Sequence, residues 1–388
     1  MAFPKIELHV HLEGTVRART LLQIARRNGV RLPADSVEGL AALYEFRDFS
    51  HFLEVWLLTT GALRTGRDFR QVVVDYAAEA ASYGAVYVEA IFTPAEPVGR
   101  GVGWDEVFTG YCDGAQQAAE LHGVQVRLTP DIPRSYPPEA AELTARYAVT
   151  YRDRGVVGLG LGGPELEYPP EPYAGVFALA REGGLGSVPH AGEVAGPASI
   201  RSALDALAAA RIRHGIRAVG DPGLVAELAR RGVVLDVCPI SNLRTGAVAS
   251  LDEHPLWALV AAGIPCSVST DDPAMFGDRP GHRLRGSQAT RGVRARLLPG
   301  RAARCAVRPA DQGRAPAGRR GVRLGRANSR AGRRPGTSGR CSMSTRPGRS
   351  AGRPGRDDQA RSNRSRFITL THAATKSFTN FSFASSLA

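Results

Sequence analysis

IELHVH, residues Ile6–His11, lies near the start of the chain and alternates apolar with polar side chains. A period of two is a strand signal, and it puts His9 and His11 on one face. Runs of similar β-rich character return at Ala85–Phe92 (AVYVEAIF), Val124–Ile132, Val156–Leu161, Ser187–His190, Ile212–His214, Val233–Cys238 and Ile264–Ser269. Helical spacing fills the intervals at Thr20–Arg27, Phe49–Thr59, Phe69–Ala81, Trp104–His122, Tyr173–Arg181, Ser199–Ala210, Leu224–Arg231 and Leu256–Ala262. Junctions such as Gly232-Val233 and Gly263-Ile264 mark helix ends feeding strands. Repeated strand–helix units predict an α/β fold, a closed (β/α)8 TIM barrel within residues 1–280. The period alone leaves a doubly wound sheet open.

The protein has 388 residues, 43% of them hydrophobic, enough for one large domain or two ordinary ones. Its net charge of +13 points first to nucleic acid or an anionic membrane. The distribution argues otherwise. From Gly281 onward there are 24 Arg and one Lys against three acidic residues, so residues 1–280 carry about −9. Within 281–388, segments such as Gly318–Arg323 (GRRGVR) and Arg346–Arg356 (RPGRSAGRPGR) show no sustained period and little to bury. This anomalous basic tail is expected to be disordered or a frame-shifted end. No basic region followed by an apolar core opens the chain, and no membrane-length apolar run occurs. Five cysteines (Cys112, Cys238, Cys266, Cys305 and Cys341) lack the spacing of a metal finger and are odd in number, against a disulfide scaffold. A cytoplasmic protein with no membrane partner is expected; the oligomeric state stays open.

Three short stretches carry the chemistry: ELHVH (Glu7–His11), PHAGE (Pro189–Glu193) and STDDP (Ser269–Pro273). They supply three imidazoles and a carboxylate, a donor set that suits catalytic zinc with a position left for water. In closed barrels chemistry gathers at the C-terminal ends of strands. His9, His11, Glu89, His190, His214, Asp271 and Asp272 all fall at or near such predicted ends. Glu193 sits three residues after His190, where an uncoordinated glutamate can shuttle a proton; a carboxylate at a helix N-terminus is its plainer reading. His214 could hydrogen-bond an attacking hydroxide or be a structural histidine. Asp271 and Asp272 would point opposite ways in extended chain, and a bend at Pro273 would let one meet a metal and the other a substrate. The glycine run Gly158–Gly163 lacks the ending of a phosphate loop and the chain position of a dinucleotide fingerprint. Asn242 and Cys238-Pro239 close the seventh strand, in a positioning role or a structural turn.

The ordered set ELHVHLEGT, GLGLGG, PHAGE, RIRHG, CPISN and STDDPAMFG, over roughly residues 4–278, resembles the adenosine deaminase family of metal-dependent amidohydrolases. The resemblance implies a barrel with one Zn2+ per chain that replaces the 6-amino group of a purine nucleoside, adenosine to inosine, and releases ammonia. It implies metal on His9, His11, His190 and Asp271, with Glu193, His214 and Asp271 as the catalytic groups. Glu193 would protonate purine N1 and His214 would orient the attacking hydroxide. Asp272 would meet N7, Gly163 would meet N3 through its backbone, and His11 and Glu13 would also face the substrate. Nucleoside-specific members usually carry Asp at the position of Glu13. Members acting on free adenine, or on the menaquinone precursor aminodeoxyfutalosine, can carry Glu, so all three substrates stay open. The segment Arg47–Val55 looks like the futalosine-type subgroup and would sit as a lid; Arg47 or Arg64 would pair with a substrate carboxylate or simply lie at the surface. Relatives continue into further helices where this chain turns to its tail, which is expected to bare apolar surface on the first and eighth strands. The reading of a different class is an inactive RNA-binding or interaction protein acting through the tail, with salt-sensitive binding and no need of metal.

Overall fold

The computed structural model describes residues 4–46, 49–278 and 280. The tail, Cys305, Cys341, Arg47 and Asp48 therefore lie outside the described residues. Among the described residues nine parallel strand segments appear in order: β1 (Lys5–His11), β2 (Ala85–Phe92), β3 (Gln125–Pro133), β4 (Gly158–Gly162), β5 (Gly186–Ser187), β6 (His190–Ala191), β7 (Arg211–His214), β8 (Val234–Val237) and β9 (Cys266–Val268). They form two runs, β1-β2-β3-β4-β5 and β6-β7-β8-β9. The chain itself joins β5 to β6. At the other seam Val10 bridges Asp271 in parallel, with His11 N donating to Asp271 O at 2.8 Å and Asp271 N to His9 O at 3.1 Å. The sheet is thereby closed into the expected (β/α)8 barrel, and the doubly wound alternative falls.

Several details differ from expectation, two of them in the main strand–helix alternation. The fifth strand is not continuous over Ser187–His190 but splits into β5 and β6 around Pro189, which has no N–H to give to a ladder. A helix at Pro138–Thr150, between β3 and β4, went unassigned because its inward face is made of small residues. Ala141, Thr144, Ala145 and Ala148 are buried there at helical spacing, and Pro138 starts it where a missing N–H costs nothing. The helix Trp104–His122 has the expected bounds and stops at Gly123, in the left-handed conformation at φ 67°.

The apolar core has two lobes. One gathers β1–β4 with the helices Ala18–Arg27, Gly66–Ser82 and Trp104–His122; the other gathers β7–β9 with Pro197–Ala206, Pro222–Arg231 and Leu256–Ala261. Val10 of β1 packs in the first lobe with Leu21, Ile24 and Val72, and Cys266 of β9 is buried in the second. Glu89, expected at the mouth, sits mid-strand in β2 and pairs with Arg211 Nη2 at 2.5 Å, while Arg211 Nε lies 2.9 Å from Asp236. This buried charge cluster fills the barrel interior and takes Glu89 out of the chemistry. Among the described residues no helix is long and apolar enough to cross a membrane.

Candidate active site

His9 and His11 from β1, His190 from β6 and Asp271 just after β9 converge at one rim. Their donor atoms all lie within 4.8 Å of one another. His190 Nε2 is 3.1 Å from His9 Nε2 and 3.2 Å from His11 Nε2; Asp271 Oδ1 is 3.1 Å from His9 Nε2 and 3.3 Å from His11 Nε2. Asp271 turns inward because its backbone is left-handed, at φ 65°, so the bend comes two residues before the expected kink at Pro273. His214 is similarly strained at φ 61°. Such conformations cost about 1–3 kcal/mol each and persist where surrounding bonds over-determine them. Here the seam bonds to β1 hold Asp271, and Ser241 Oγ donates to its Oδ2 at 2.6 Å.

The tautomers test whether these residues fit a cation. His9 Nδ1 lies 3.3 Å from Asp236 O and His190 Nδ1 3.1 Å from Leu161 O. A carbonyl only accepts, so both Nδ1 atoms carry the hydrogen and both Nε2 atoms present lone pairs to each other. Burial lowers the pKa of all three imidazoles, that of His11 to about 3, which keeps them neutral. Bare lone pairs and a carboxylate facing one point repel unless a cation sits among them. Donors about 2.0–2.1 Å from a zinc ion in tetrahedral array stand roughly 3.3–3.4 Å apart, close to the separations found. The residues fit the metal.

A cavity of about 300 Å³ opens above this cluster. His11, Gly163, His190, Glu193, His214, Asp271 and Asp272 line it. Glu13 does not: it is buried, its Oε1 taking the N–H of Thr93 at 2.7 Å, so Thr93 forms the wall and Glu13 stands behind it. Burial raises the Glu13 pKa to about 7. Glu193 lies in the turn after β6, before the helix that starts at Pro197, which removes its helix-terminus reading. Its Oε2 is 3.5 Å from His214 Nε2, and burial, then Asp271 and Glu165, raises its pKa against the opposing pull of His214. Gly192 takes φ 68°, and a Cβ there would meet Ile200 Cδ1 at 2.4 Å, so the turn needs glycine. Asp272 is buried with Oδ1 unpartnered, and burial plus the neighbouring Asp271 pushes its pKa well up. The helix Phe49–Ala62 covers the mouth as expected of a lid, giving Phe52, Trp56 and Leu57 to the wall; Phe52 stacks on Phe276 at 5.1 Å. Arg64 does not line the cavity and donates to Gly61 O instead.

Comparison with known proteins decides the family. A family model described as adenosine deaminase matches residues 4–310, past the change of composition at Gly281. This chain belongs to the adenosine deaminase family. It is a hydrolytic deaminase. An aminodeoxyfutalosine deaminase of Acidothermus cellulolyticus is 56% identical over 304 residues, covering 76% of this chain and 85% of that protein. The crystal structure of an adenine deaminase from Arthrobacter aurescens superposes with TM-score 0.69 at 34% identity, over 72% of this chain and 85% of its own. A zinc-bound amidohydrolase structure from Burkholderia ambifaria gives TM-score 0.66 at 27% identity, over 72% and 78%.

The deaminase site also rests on Asp131, Arg213 and His254, which sequence reading passed over, and on Asn242, which it had marked. Asp131 of β3 forms a buried pair with Arg213 Nη1 and places Oδ2 3.3 Å from His190 Nδ1. Room for that pair comes from Gly160, where a Cβ would lie 1.9 Å from Asp131 Oδ1, so the glycine run has a steric purpose. A directional relay orients His214. Leu256 N donates to His254 Nδ1 at 3.1 Å, which leaves the hydrogen on His254 Nε2, 3.2 Å from Asn242 Oδ1. Asn242 Nδ2 then donates to His214 Nδ1 at 3.2 Å, so neutral His214 carries its hydrogen on Nε2, facing the cavity. The CPISN motif was a signal for Asn242; nothing local marked His254.

Proposed function

We propose that this deaminase removes the 6-amino group of aminodeoxyfutalosine by zinc-dependent hydrolysis, with His9, His11, His190 and Asp271 holding one Zn2+. The convergence of those four donors beside an uncoordinated Glu193 supports the reaction, and the bound zinc of the Burkholderia relative supports the ion. The strongly similar Acidothermus relative supports the substrate. Adenine is the second reading, favoured by the Arthrobacter structure. Adenosine, which the sequence motifs left open beside the other two, is named by none of these relatives.

Zinc bound there supplies Lewis-acid activation of the attacking water. The rest follows from the chain. Glu193, whose burial favours the protonated form, donates to ring N1 and draws electron density from C6. The His214 Nε2–H, fixed by the Asn242–His254 relay, hydrogen-bonds the attacking oxygen as C6 becomes tetrahedral. Purine N7 is an acceptor, so Asp272 must present a proton to it; its raised pKa suits that role. The Gly163 backbone, turned to φ 105°, meets N3. Phe52, Trp56 and Leu57 exclude water and cover the apolar part of the substrate. A panel of aminodeoxyfutalosine, adenine and adenosine, followed by loss of 6-amino absorbance, tests this. The highest kcat/KM is expected on aminodeoxyfutalosine, and faster turnover of adenine would reverse the assignment.

A further inference from the structure

Glu165 follows the glycine-rich β4 and belongs neither to the donor cluster nor to the cavity wall. Its buried carboxylate nevertheless gathers five donors. Oε1 takes the N–H of Gly192 and the Ser199 hydroxyl. Oε2 takes the N–H groups of Glu193 at 3.1 Å, Val194 at 3.0 Å and Ala195 at 3.0 Å. Four successive amides aimed at one anion form a nest, an arrangement that holds its anion ionised and its backbone rigid. Burial works against that ionisation, but the Ser199 hydroxyl and the amides of Ala195, Val194 and Gly192 outweigh it.

On its carbonyl side the turn 192–195 is held by Arg217, whose N–H donates to Gly192 O at 2.9 Å and whose Nε donates to Glu193 O at 3.2 Å; its amides are held by Glu165. It lies between the end of β6 and the helix Pro197–Ala206, outside both strand ladder and helix. Yet Glu193 must reach the cavity from that backbone, and a displacement of about 1 Å in a proton donor can cost 10²-fold in rate. We infer that Glu165 is the positioning residue for Glu193, fixing through four amides the turn from which that carboxyl is aimed at the substrate. The inference rests on Glu193 being the proton donor.

Glu165→Gln in the full chain tests it. The variant keeps the shape but sets an NH2 group against N–H donors and releases the turn. On the substrate turned over fastest, kcat is expected to fall about 10- to 100-fold with KM within about twofold, because Asp272, Gly163 and the aromatic wall stay in place. Bound metal is expected to equal that of the wild type. Glu165→Asp keeps the charge one methylene short and is expected to recover several-fold of the lost kcat; if the Gln variant does not fold, the Asp variant carries the test, with kcat lowered at unchanged KM. Wild-type kcat in the folded variant, or a loss that tracks metal content or a rise in KM, would overturn the inference. Glu193→Gln measured alongside separates the two claims. If that variant is active, the proton-donor reading fails and takes this inference with it; if it is inactive while Glu165→Gln matches wild type, this inference alone fails.

Discussion

Gly14→Ala is the sharpest probe of how closely the site is built. Gly14 lies in the short 3-10 turn Glu13–Thr15 that follows β1, and a Cβ there would stand 1.9 Å from Asp272 Oδ1, 2.4 Å from its Cγ and 2.5 Å from its Cβ. Ordinary van der Waals contact begins near 3.4 Å, so the carboxylate must retreat by about 1.5 Å. The Asp272 main chain cannot follow, because its carbonyl accepts from Met275 N at 3.0 Å and Phe276 N at 2.9 Å. Rotating the side chain takes the carboxylate away from the cavity but leaves Asp272 Cβ in place, so the turn Glu13–Thr15 must shift as well. A shift of that size in a group meeting the substrate is expected to lower kcat/KM about 100-fold, or about 2.7 kcal/mol in the barrier. Overpacking should cost about 1–3 kcal/mol of stability besides. Steady-state kinetics, metal content and thermal unfolding would be measured together. Gly61→Ala, where nothing lies within 4 Å of the added methyl, is the control and should leave kcat/KM unchanged. A Gly14→Ala enzyme within twofold of wild type would refute both the close approach and the role of Asp272.

Glu193→Gln is expected to lose about 10³-fold or more in kcat while retaining its metal, as checked by metal analysis; an active variant sinks the proton-donor assignment. Since the protonated form of Glu193 is the working one and its folded pKa is raised, kcat should be full below that pKa and decline as pH rises through it; a pH profile with activity increasing through that limb contradicts the role. Chelation should abolish activity and lower Tm, because His9, His11, His190 and Asp271 are left with facing lone pairs, and added Zn2+ should restore both. His254→Ala removes the donor to buried Asn242 Oδ1, which should cost about 1–3 kcal/mol in unfolding free energy and about tenfold in kcat.

Much of this was written in the sequence because it is local. Alternation in Ile6–His11 put two imidazoles on one face, Trp104–His122 carried its own helical period and stop signal, and the PHAGE and STDDP stretches marked the remaining donors before any contact was known. Such features depend on a few neighbouring side chains and on backbone geometry that repeats every two or 3.6 residues. The tertiary structure decided what depends on distant groups meeting. It set Glu13 behind Thr93, withdrew Glu89 into a charge cluster, and seated His190 against Asp131 and Arg213. Through Asn242 and His254 it chose the tautomer of His214. It also held Asp271 and His214 in left-handed conformations that no local preference favours. Hydrogen bonds between strands that meet only when the barrel closes carry that strain, so no window of sequence could have shown it.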